Sequence, residues 1–179
     1  MKKWNLILMV ALIGLAISCS SITTQYDYER GEDFSRFKTY SFLPVPAELA
    51  QNQLVVKRIG RAIIQNLATK GLTETDSNPD LNIAVYTQVK DKVSVTSYGY
   101  GYAPYYSFGY WGHGMGGGTD VSQYEEGTLI IDLVDAQAKE MVWRGMASKA
   151  LPSAPTPEKI DKIIDNVVAK IFEKYPPGM

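Results

Sequence analysis

Residues 125–134, EEGTLIIDLV, followed after a polar connection by residues 141–147, MVWRGMA, are the part of the chain that decides its fold. In an extended chain Leu129, Ile131 and Leu133 share one face, while Ile130 and Val134 put apolar atoms on the other beside Thr128 and Asp132. Side chains alternate between the faces of a strand, so a run that is apolar on both belongs inside a sheet rather than at its edge. Residues 135–140 between the two runs are polar and few, as a hairpin connection requires.

Towards the C-terminus, prolines punctuate residues 152–157, and Thr156 with Pro157 forms the start signal of a helix: a hydroxyl cap, then a proline whose missing N–H is not needed in the first turn. Ile160, Ile163, Ile164, Val167, Val168, Ile171 and Phe172 follow at spacings of three and four, a continuous stripe that must be buried. Pro176 and Pro177 stop it.

Towards the N-terminus, Leu81, Ile83, Val85, Thr87 and Val89 alternate with Asn82, Ala84, Tyr86, Gln88 and Lys90, which predicts a long strand with one buried face. Upstream, Val55, Val56, Ile59, Ala62, Ile63 and Leu67 form one helical face between Asn52, a capping residue, and Gly71, placed for a left-handed end. Lys57, Arg58, Arg61 and Lys70 lie off that face and read as a solvated helix side rather than a stripe for anionic headgroups. Residues 25–28 and 37–42 alternate polar with aromatic and predict two further strands, separated from the helix by Pro44 and Pro46. The order is two strands, helix, strand, loop, two strands, helix. It predicts an α+β two-layer sandwich: a mostly antiparallel sheet of about five strands with two amphipathic helices on one face.

The segment at residues 97–118 interrupts this pattern. It holds eight aromatic residues and eight glycines in 22 positions, and no charge apart from any proton on His113. It has no apolar periodicity and much backbone entropy to lose, so it reads as a loop. Tyr105, Tyr106 and Trp111 within it are candidate ligand-binding residues, since rigid amphipathic rings favour recognition surfaces. They suit the sugar rings of an envelope glycan, a membrane interface, or a partner protein.

Residues 1–18 carry Lys2 and Lys3 ahead of an uncharged apolar stretch from Leu6 to Ile17, the composition of a secretory signal. The stretch is short of the roughly 20 apolar residues a spanning helix needs. It ends on Cys19, the only cysteine, and Leu15, Ala16, Ile17 and Ser18 before it make the junction resemble a bacterial lipobox. That resemblance implies cleavage before Cys19, acylation of its sulfur and amine, and a lipidated tether over residues 19–24 leading into a single domain at residues 25–179. One acyl chain binds a membrane marginally, whereas several hold a protein stably. Ser20 is not the aspartate that resembles an inner-membrane retention signal, so an outer-membrane lipoprotein facing the periplasm is expected.

Composition excludes more than it selects. Removing two of 18 basic residues with the signal leaves 16 against 19 acidic ones, without the basic footprint of a nucleic-acid binder. One cysteine permits no internal disulfide. His113 is the only histidine, so neither a zinc site nor a serine or cysteine triad is well supplied, and no cofactor or metal is called for. Asp80, Asp132 and Asp135, with Arg144 near, are the carboxylates placed at or on strands, and turn capping or ion pairing is the expected role of each.

These features together resemble the bacterial envelope lipoproteins of domain-of-unknown-function family 4136. The residues that carry the resemblance are DFSRFKTYSF (33–42), NPDLNI (78–83), EGTLIIDLVDAQAKEMVWRG (126–145) and the final helix leading to YPP (175–177). The resemblance implies a periplasm-facing lipoprotein of one α+β domain, and supplies no substrate or catalytic residue. Within it Asp132, Trp143 and Arg144 read as fold determinants, with Trp143 on a strand facing a helix as core material. The function expected is non-enzymatic binding or scaffolding at the membrane. The alternative is a carboxylate-dependent hydrolase of envelope glycans, which needs two carboxyls about 5 to 9.5 Å apart. Metabolic labelling with an alkyne fatty acid should tag the wild-type chain and leave a Cys19→Ser chain untagged; equal labelling of the two overturns the anchor.

Overall fold

A computed structural model of the chain describes residues 22–97 and 119–177. The signal segment, Cys19, Tyr105, Tyr106, Trp111 and His113 lie outside the described residues. In chain order the elements are β1 (Thr23–Tyr28), a 3-10 turn (Phe34–Arg36), β2 (Thr39–Phe42), α1 (Ala47–Ala50), α2 (Gln53–Thr69), β3 (Thr73–Glu74), β4 (Leu81–Ser97), β5 (Thr119–Asp135), β6 (Met141–Ala150) and α3 (Pro157–Phe172).

The architecture is an α+β sandwich, but its sheet has six strands, not five, and it is mixed. The strand order is β1-β6-β5-β4-β2-β3. β1, β6, β5 and β4 are antiparallel neighbours, whereas β2 pairs in parallel with both β4 and β3. The parallel half follows from what lies between: a parallel pair needs a crossover of a dozen or more residues, and α1 and α2 provide it. β3 has two residues, too few to show a period, which is why the pattern yields one strand too few. α1, a single turn after Pro46, adds a third helix to the two expected. β5 is interior, as its two-sided apolar pattern requires.

Both long helices start as their capping residues dictate. Asn52 Oδ1 accepts from the Val55 amide at 3.3 Å, and Thr156 Oγ1 accepts from the Lys159 amide at 3.3 Å. Gly71 takes φ +80° just past α2, a conformation that favours glycine. Their buried residues, Ile59, Ala62, Ile63 and Leu67 from α2 and Val167, Val168, Ile171 and Phe172 from α3, cover the sheet face formed by Leu81, Ile83, Val85, Leu129, Ile131, Leu133 and Trp143. Register sets these in rows, of which the fullest runs Phe42, Ile83, Leu133, Trp143 and Tyr28 across five strands.

Trp143 is the centre of that layer and fully buried. Its indole stacks on Phe172 with centroids 5.6 Å apart and meets Tyr175 edge-on at 5.3 Å. Tyr175 in turn meets Phe34, and Phe34 meets Tyr28, so an aromatic chain ties β6 and α3 to the β1 edge. The Trp143 Nε1 and the Tyr175 hydroxyl are both buried without a hydrogen-bond partner among the described residues, and burial pushes the Tyr175 hydroxyl up to about 12. The ring can lie where it does because residue 145 has no side chain. A β-carbon there would stand 2.3 Å from Trp143 Cη2 and 2.6 Å from Ile171 Cγ2. Gly145→Ala should therefore lower stability by about 1 to 3 kcal/mol through overpacking, read as a lower urea midpoint at unchanged slope; an unmoved midpoint would mean the indole has room to shift.

Candidate functional site

The carboxylates singled out from sequence have structural partners. Asp132, buried on the sheet face away from the helices, accepts from Arg144 Nε and Nη2, both at 2.6 Å, across the β5–β6 pair. Asp135 is buried at the end of β5, where Oδ1 accepts from the Gln137 and Ala138 amides at 2.7 and 2.9 Å and organises the hairpin turn. Its Oδ2 pairs with Arg36, whose guanidinium also bonds Glu32 at 2.7 Å and lies 4.2 Å over the Phe37 ring. Asp80 Oδ2 accepts from the Lys38 and Thr39 amides at 2.8 and 2.9 Å and from the Thr39 hydroxyl at 3.0 Å, joining the start of β4 to β2. These amides hold the Asp80 carboxyl below the usual carboxylate range, and the Ala138 amide with Arg36 does the same for Asp135. Among the described residues no group of three or more His, Cys, Asp or Glu is placed to hold a metal ion.

The basic residues of α2 are also engaged. Arg58 bonds Asp161 at 2.7 Å, and Arg61 reaches Asp161 and Asp165 at 3.5 and 3.3 Å, clamping α2 to α3. Two of the four cations read as a solvated face are thus an interhelix contact.

Among the described residues a cavity lies along the other flank of α2. It is a groove of about 620 Å³ between α1, α2 and the sheet, with Phe42, Val45, Leu49, Val56, Ile59, Ile64 and Val85 as its walls. That is within the 300 to 1,000 Å³ typical of small-molecule sites, as is the apolar lining with few polar groups. On α2, Val56, Gly60 and Ile64 make an apolar row at four-residue spacing, and Lys57, Arg61 and Gln65 make a polar row one residue on. Glu74 of β3 completes the polar lining. A β-carbon on Gly60 would meet nothing within 4 Å, so this glycine serves no close approach; it leaves the groove open. A glycine inside an otherwise regular helical pattern was the one sequence signal for this site.

A small α+β sandwich with its buried carboxylates paired and an apolar groove beside the crossover helix is the class of domain defined here. From residue 24 to residue 177 the chain matches the family described as Domain of unknown function (DUF4136), and it belongs to that family. No curated protein matches it in sequence. Similar solved structures include a PDZ domain protein from Parabacteroides distasonis, at 16% identity and TM-score 0.59 over 96% of this chain. This chain spans 40% of the length of that protein, and the likeness is one of fold. A PelC dodecamer from Paraburkholderia phytofirmans matches at 9% identity and TM-score 0.47, covering 85% of this chain and 95% of that one.

Because Asp80 and Asp135 have depressed folded-state pKa values, their contribution to stability is complete above the ordinary aspartate value near 4 and is lost as pH falls below it. Asp135→Asn should cost about 1 to 3 kcal/mol at pH 7 by removing the charge that Arg36 faces, and should flatten the loss between pH 5 and pH 2. Urea midpoints measured across that range check both; a variant with the wild-type acid profile would show that Asp135 is not a titrating support.

Proposed function

We propose that the protein is a lipid-anchored envelope protein, held at the outer membrane through Cys19 and facing the periplasm, that works by binding rather than catalysis, and that its groove takes the acyl chain of an anionic amphiphile. The groove carries this reading. Its walls are apolar along one flank of α2, and Lys57 at its rim makes no ion pair among the described residues, leaving a cation for an anionic head. The state of the carboxylates supports binding over hydrolysis. A general acid needs its pKa raised, and Asp80 and Asp135 are shifted the other way by donors that a substrate would have to displace.

The chain from residue 19 onward, with Cys19→Ser, should bind the fluorescent fatty acid cis-parinaric acid saturably. Gly60→Leu fills the groove while replacing a poor helix former with a good one. It should weaken binding by roughly tenfold, about 1.4 kcal/mol, with the unfolding midpoint unchanged or higher. Equal affinity in the two proteins would overturn the groove assignment.

A further inference from the structure

β4 and β5 are each 17 residues long, whereas β6 has 10 and β2 has four. Pairing with β6 ends at the couple Glu126 and Ala150, and pairing of β4 with β2 ends at Phe42 and Ile83. Leu151 N still donates to the Glu125 carbonyl at 2.8 Å, and from Lys92 to Ser97 and from Thr119 to Tyr124, β4 and β5 pair only with each other, as a ribbon beyond the body of the sheet. A two-stranded ribbon is marginal in water without a surface to rest on. No helix covers this one: Val93 on it is 58% exposed, on the same face as Asp91 and as Val89 at its base, which is equally exposed.

The register says which way the ribbon points. Thr23, at the start of β1, pairs with Ser148, Ser148 with Thr128, and Thr128 with Gln88, so all four stand at one level of the sheet. β1 is antiparallel to β4 through three antiparallel pairs, so β1 begins at the end of the sheet towards which β4 runs from Gln88 to Ser97. Four residue steps lead from Thr23 back to Cys19, a reach of at most about 14 Å fully extended. Nine separate Gln88 from Ser97, about 30 Å of strand. The ribbon outreaches the tether by roughly 15 Å.

We propose that the β4–β5 ribbon rests on the membrane that holds the acyl chains of Cys19, the bilayer serving as the surface that the uncovered Val93 meets. The proposal rests on the anchor reading: with the acyl chains in the bilayer, a tether this short brings the end of the ribbon to the lipid headgroups, whether the ribbon stands or lies down.

The test uses the acylated full-length protein in phosphatidylethanolamine and phosphatidylglycerol vesicles carrying a nitroxide-labelled lipid. Acylation blocks Cys19, so an introduced cysteine is the only free thiol. A fluorophore is attached at Val93→Cys, at its cross-strand partner Gln123→Cys, and at Lys139→Cys in the turn at the opposite end of the sheet. The lipid quencher should reduce emission several-fold more at residues 93 and 123 than at residue 139. Vesicle flotation separates the two readings: a protein that does not float overturns the anchor and the ribbon proposal with it. A floating protein quenched equally at both ends overturns the ribbon proposal alone. So does one whose labels at 93 and 123 ignore the lipid quencher but respond to added peptidoglycan fragments.

Discussion

The indole of Trp143 occupies the space where a β-carbon of residue 145 would have to be, and most of the inner layer is arranged around that fact. Side chains two apart on a strand share a face, so a large ring at 143 crowds position 145 unless that position is bare. With Gly145 there, the ring lies down along the sheet, and Phe172 can stack on it in near-parallel contact. That contact sets the height of α3 above the sheet and brings Tyr175 to the edge of the indole. Arg144, between the two, must point to the other face, where it meets Asp132 on the neighbouring strand. The three letters W, R and G are thus one device: the ring faces the helices, the cation is paired behind the sheet, and the glycine makes room.

Polar groups follow the same division. The helix-covered face carries aliphatic and aromatic side chains, and the carboxylates buried in the domain sit on its other face or at the strand end, each with its donors. Leaving a buried carboxylate without donors would cost several kcal/mol, so these pairs permit burial rather than add much stability of their own. The clamp between α2 and α3 has a different consequence. Arg58 and Arg61 draw α2 towards Asp161 and Asp165, and the row Val56, Gly60 and Ile64 is left along the other flank with only the single turn of α1 beside it. The groove is the gap between a crossover helix held on one side and the sheet edge it crosses.

Much of this was legible in the residues. The β5–β6 hairpin, the capped ends of both long helices and their buried stripes follow from periodicity and end signals, because each is a local property with a strong pattern. The parallel placement of β2 was not, although a helix between two strands allows it, because strand order depends on contacts between residues more than 40 apart, such as Asp80 with Thr39. β3 was invisible at two residues. The roles of Asp80 and Asp135 were anticipated in kind, but not their donors. Gly60 leaves the helical period intact, and what it does becomes visible only when α1 and Phe42 are placed beside it.

The alternation in β4 was legible too, but its meaning changes along the strand. Leu81, Ile83 and Val85 are buried under the helices, while Val89 is exposed although β5 and β6 still run beside it, and after Asp91 the period resumes at Val93, beyond the last β6 partner. An apolar period predicts a covered face without saying what covers it, and within one domain the cover is ordinarily its own helices. Here the cover stops and the pattern goes on. Val93 stands on a ribbon whose two edges are both open, where nothing else in the described domain covers it. β1 begins at the same end of the sheet as that ribbon. The far half of β4 and the start of β1 therefore belong to one geometry, in which the end of the sheet where the domain begins is also the end at which the fold leaves Val93 uncovered.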